Sequence, residues 1–128
     1  MKEKHAGKMS LAEIGENNLN RIIRGAALSV SGVAGMHSRL RETLMNSIRP
    51  SANDDSELPE RGVKITESAA GVAVDVYLDV WYGEKIPDLS WDVQRTVRST
   101  VQDLCGLTLR EINVHVQSVL LQGAEAGK

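Results

Sequence analysis

Asp75, Asp79 and His115 are the residues whose types admit a metal site or an acid–base pair in this 128-residue chain. Their spacing argues against both. Asp75 and Asp79 fall four residues apart in one alternating stretch, about 13 Å along an extended strand, so they cannot share a proton or one ion with ligand bonds of about 2 Å. His115 can still meet one of the two aspartates across a sheet. Tyr77 and Trp81 share the face of Asp75 and Asp79, and aromatic side chains beside acids on an open sheet face are the usual centre of a protein interface. Cys105, the only cysteine, excludes an intrachain disulfide and reads as a structural residue at a helix end. Nothing has the form of a nucleophile–base pair, a phosphate loop with lysine or a zinc ligand set. The expectation is a non-enzymatic protein with no cofactor and no metal.

The element that positions these groups is Gly71 to Gly83. Val72, Val74, Val76, Leu78, Val80 and Tyr82 point one way, while Ala73, Asp75, Tyr77, Asp79 and Trp81 point the other. A period of two over this length specifies a strand buried on one side. A second alternating run lies in Leu109 to Leu121, with Ile112, Val114 and Val116 inward and Glu111, Asn113, His115 and Gln117 outward. Val63 and Ile65, alternating with Lys64 and Thr66, make a hairpin with the first strand.

Helical periodicity accounts for the rest. Leu19, Ile22, Ile23, Ala26 and Val30 form one amphipathic run, with Asn17 or Asn18 as N-cap and Gly32 as its end. Met36, Leu40, Leu44 and Ile48 form a second, shorter run that Pro50 closes. Val93, Val97, Val101 and Leu104 form a third, with Asp88 or Ser90 as cap and Gly106 as a left-handed terminus. Residues 1–8 are a polar tail, 9–121 one domain beginning with at most a short strand in Met9 to Ile14, 51–60 a mobile acidic loop, and 122–128 a second tail. The fold expected is α+β: a single two-layer domain, a mixed sheet of three to four strands with helices on one face.

Fifteen basic and seventeen acidic residues leave a net charge of −2. Bulk charge therefore does not steer the chain to nucleic acid or an anionic membrane. Arg39, Arg41 and Arg49, with Arg21 and Arg24, could form a local basic patch for lipid headgroups or an acidic partner, or simply a solvated face. Gly32-Val33-Ala34-Gly35 has the form of the Gly-x-x-Gly loop of KH domains, and the element order fits a KH-like fold. RNA binding through that loop is the alternative function, weakened by the absence of a cation inside the loop. No run approaches the ~20 apolar residues of a spanning helix, and Met1 to Lys8 lacks the apolar core of a secretory signal, so a cytoplasmic protein is expected.

Tyr82-Gly83, Ile86-Pro87, Val93-Gln94, Gly106 and Ile112-Asn113-Val114-His115-Val116 occur in an order and spacing that resembles the bacterial alkaline shock protein family, the Gram-positive envelope stress response proteins. Val30 to Met36 is similar to the family's first helix ending, and roughly Met9 to Leu121 is covered. The resemblance implies a non-catalytic scaffold working through protein contacts at the cytoplasmic side of the envelope. Its partner would be a membrane-anchored protein, with self-association as a further expectation. Cys105 and the charged loop 51–60 depart from the family pattern. The contact surface expected is Asp75, Tyr77, Asp79, Trp81, Glu111, Asn113 and His115.

Overall fold

The computed structural model describes residues 10–38, 59 and 61–121. The first element among the described residues is a one-turn helix, α1 (Leu11–Ile14). The short strand expected in Met9 to Ile14 is not formed by residues 10–14, and Met9 lies outside the described residues. Ser10 and Glu13 form a reciprocal capping box, the Glu13 amide donating to Ser10 Oγ at 3.2 Å and the Ser10 amide to Glu13 Oε1 at 3.0 Å. Leu11 and Ile14, three apart, then both reach the core.

Helix α2 (Glu16–Leu28) follows at once, starting from Gly15 with no side-chain cap. Asn17 and Asn18 are inside the helix, and the Asn18 amide donates back to the Ile14 carbonyl at 3.0 Å, joining the two helices. Leu19, Ile23, Ala26 and Ala27 are buried. The helix stops at Leu28, short of Gly32, with Ser29 Oγ donating to the Ala26 carbonyl.

The next segment departs most from expectation. Val33–Met36 is a strand, β1, not a turn between helices. It pairs antiparallel with β3 (Gly71–Trp81), Val33 opposite Val80 and Met36 opposite Leu78, with Ala34 as the extra residue of a bulge. Val33 joins the buried core, a gain that an exposed phosphate loop would forgo. The Gly32 to Gly35 loop needed for RNA binding of the KH type is therefore absent. Met36 ends this strand and does not begin a helix; the remainder of that predicted helix, with Arg39, Arg41 and Arg49, lies outside the described residues, as does the predicted loop 51–60 apart from Pro59.

Strand β2 (Val63–Ser68) and β3 form the expected hairpin, turning at Ala69-Ala70. After β3 come α3 (Ile86–Cys105) and β4 (Glu111–Leu120), which returns parallel to β3. Among the described residues the sheet is mixed, with four strands.

Strand β3 carries three neighbours on two edges. Tyr77 shows how. Its N–H donates to the Gly62 carbonyl at 2.9 Å and its carbonyl accepts from the His37 N–H at 2.8 Å. Both groups of one extended residue point to the same edge, so β2 and β1 lie end to end along that edge and β4 takes the other. Gly62 sits at the seam with φ of 86°, and a Cβ there would stand 3.1 Å from Met36 Cβ and 3.2 Å from the His37 carbonyl oxygen.

Helix α3 begins at Ile86, with Pro87 in the first turn and Lys85 as N-cap, so Asp88 and Ser90 lie within it. Its buried stripe is Leu89, Val93, Val97, Val101 and Cys105, every fourth residue. Leu104, placed in that stripe by the sequence reading, is 65% exposed. Gly106 adopts the left-handed cap as expected, φ 73°. The helices cover the face formed by Val72, Val74, Val76, Leu78 and Val80, all buried, with Val63 and Ile112 beside them. Tyr82, expected on this face, lies beyond the strand end and is exposed.

Candidate functional site

The other face of β3 carries the groups singled out for chemistry. Parallel pairing sets Asn113 opposite Asp75 and His115 opposite Tyr77. Side chains across from one another share a face, so four polar and aromatic groups converge. Asp75 Oδ1 accepts from the Asn113 amide at 3.1 Å and lies 2.9 Å from His115 Nε2. With an ionised Asp75, Nε2 carries the proton and donates it. The imidazole then stacks on Tyr77 with ring centroids 4.5 Å apart and planes 14° from parallel.

These contacts fix the His115 ring in two directions. Asp75 sets its tilt, and Tyr77 supports its plane. The His115 side chain is 38% exposed and that of Asp75 23%, so the cluster forms a rigid, solvent-reached ledge. Glu111, across from Ala73, extends it, and its carboxylate pairs with Arg110 at 3.1 Å. Chemically, the ledge offers a flat aromatic surface, an oriented imidazole and acidic acceptors. Among the described residues, no group of three or more His, Cys, Asp or Glu could hold a metal ion.

Asp79 does not belong to this surface. It is fully buried, and its Oδ1 lies 2.8 Å from Nδ1 of His37, itself 6% exposed. The sequence reading placed Asp79 in the contact face and did not single out His37 at all. Gly35, directly across from Asp79 in β1, carries no side chain to stand between Asp79 and the His37 ring two residues on. The sequence carries little signal for His37, because the strand leading to it has the Gly-x-x-Gly form of a loop. A strand of four residues with a bulge gives no alternation for the eye to follow.

Trp81, half-buried opposite Leu120, shares the face but stands four residues, about 13 Å, beyond Tyr77. The buried His37–Asp79 pair lies between. The structure therefore brings Asp75, Tyr77, Asn113 and His115 together, with Glu111 at their margin, and leaves Trp81 as a separate aromatic point.

Fold and face together define a two-layer α+β domain that presents an organised polar and aromatic sheet surface. The profile of the alkaline shock protein 23 family, described as having a cell envelope-related function, matches residues 3–121, and the chain belongs to that family. It is 29% identical over 118 residues to the uncharacterized protein Spy1614 of Streptococcus pyogenes serotype M6, covering 91% of this chain and 93% of that one. It is 29% identical over 114 residues to YloU of Bacillus subtilis, covering 88% and 90%. YqhY of Bacillus subtilis is 28% identical over 116 residues, covering 90% and 78%. A solved variant of MamM-CTD is similar with a TM-score of 0.53 at 12% identity, covering 81% of this chain and 98% of that one, a likeness of fold alone.

Proposed function

We propose that this protein is a non-catalytic interaction module of the cell envelope, binding a protein partner through the outer face of its sheet at the cytoplasmic side of the membrane. Family membership supplies the envelope role. The observation that carries the rest is the Tyr77–His115 stack pinned by Asp75. Side chains already ordered in the free protein lose little entropy on binding, and half-exposed aromatics held this way make effective contact centres. No helix among the described residues is long and apolar enough to cross a membrane. A membrane-anchored partner fits an envelope role for such a chain.

Trp81 is the second contact point. If it is a buried anchor of the contact, Trp81→Ala should weaken partner binding by about 2 kcal/mol, some thirtyfold. Tyr77→Ala should do the same by removing the support of the His115 ring. The fold should survive both, because neither side chain belongs to the buried core. The experiment is affinity measurement against the partner recovered from the membrane fraction of the native host, with circular dichroism melts to show that each variant is folded. Unchanged affinity in both variants would place the contact elsewhere.

A further inference from the structure

Asn17, Asn20, Arg21 and Arg24 recur at i, i+3, i+4 and i+7 along α2, so they share one stripe of that helix. With Arg61, two residues ahead of β2, and Val63, its first residue, they line a cleft of about 670 Å³. Small-molecule sites are about 300–1,000 Å³. The cleft is built, not incidental. The Asn20 amide donates to the Val63 carbonyl at 3.2 Å, pinning α2 to β2, and Asn20 Oδ1 accepts from Arg24 Nε at 2.7 Å. That bond sets the plane of the Arg24 guanidinium and leaves its terminal nitrogens for a ligand.

Among the described residues no acid pairs with the charges in the cleft. Among the described residues, the arginines in ion pairs are Arg95 with Asp92 and Arg110 with Glu111, both elsewhere. Arg21, Arg24 and Arg61 are in none. Their mutual repulsion is felt: Arg24 is held below the usual arginine range by burial first, then by the nearby charges of Arg61 and Arg21. A chain of net charge −2 that gathers around one cavity three guanidinium groups with no acidic partner among the described residues is arranged for a polyanion. A lone carboxylate would leave most of that charge uncompensated. Phosphate groups, with several oxygens each and more than one charge, match both the forks and the sum.

We propose that this cleft binds a phosphorylated small molecule, its phosphate oxygens held by Arg21, Arg24 and Arg61 and its neutral polar part by the Asn17 amide. The phosphate could sit on a soluble compound or on a lipid headgroup. The recognition chemistry is the same, and two probes separate the sources.

The test is titration calorimetry of the full chain with inorganic pyrophosphate at low salt, alongside sedimentation with phosphatidylglycerol vesicles. Wild type should bind pyrophosphate saturably at one site. Arg24→Gln, Arg61→Gln and Arg21→Gln should each weaken it by about tenfold or more, while Arg95→Gln, which removes an equal charge outside the cleft, should leave it unchanged. Arg21 is exposed, so Arg21→Gln keeps the test valid even if another variant melts early. Pyrophosphate binding without vesicle binding assigns the phosphate to a soluble compound; vesicle binding lost in the same variants assigns it to a headgroup. Absence of saturable binding to either probe, or an equal loss in Arg95→Gln, overturns the site.

Discussion

The two aspartates of β3 show how burial divides residues of one type on one face. Asp75 is solvent-reached and bonds Asn113 and His115, whereas Asp79 is sealed in with His37. Alternation alone could not tell them apart, because it reports direction and not what lies above. Removing one partner of a buried pair leaves the other desolvated, so His37→Ala should cost about 3 kcal/mol of stability, read by urea denaturation; a loss under about 0.5 kcal/mol, the size of a neutral surface change, would mean that the pair contributes little. His115→Ala, on the exposed ledge, should cost far less. Cys105 gives a pH-dependent counterpart. Burial pushes its thiol above the usual cysteine range, so the folded state favours the protonated form. Its contribution to stability is fully present below the unfolded thiol pKa and is lost as pH rises through the higher folded value. Folded protein should therefore react slowly with iodoacetamide at pH 8 and rapidly in urea. Equal rates would show an open thiol.

At the scale of elements, what could be read in the sequence followed the strength of the local pattern. Strand β3, its hairpin with β2, helix α3 with its Gly106 end and strand β4 all repeat their period over enough residues to fix type and direction. Strand β1 does not: its residues Val33, Ala34, Gly35 and Met36 have the composition of a turn, and only the free edge of β3 makes them a strand. Helix α1 was missed for the opposite reason, since its Ser10 and Glu13 capping box is a plain local signal that a single turn of helix left unweighed. The seam between β1 and β2 is the most exacting place in the sheet. Gly62→Ala should destabilise the domain by more than the ~1 kcal/mol typical of a lost glycine conformation, because the new methyl group also crowds Met36 and the His37 carbonyl. A melting temperature within a degree of wild type would show that the seam opens freely.

For the whole molecule, the fold separates two surfaces by chemistry. One is the sheet face with its Tyr77–His115 ledge; the other is the arginine cleft between α2 and β2. The strand residues of the ledge were legible as a surface because they alternate within long strands, whereas the cleft joins residues more than thirty positions apart and needed the packing of α2 on β2 to exist. The central claim, that the protein works by contact through its sheet face, is tested most directly by capture from the native host with the membrane fraction retained. Wild type, Tyr77→Ala, Trp81→Ala and the helix-surface control Arg95→Glu would be compared, with bound proteins identified by mass spectrometry. The account predicts one envelope protein retained by wild type and by Arg95→Glu and depleted at least tenfold by both sheet variants. The same protein retained equally by all four would contradict it.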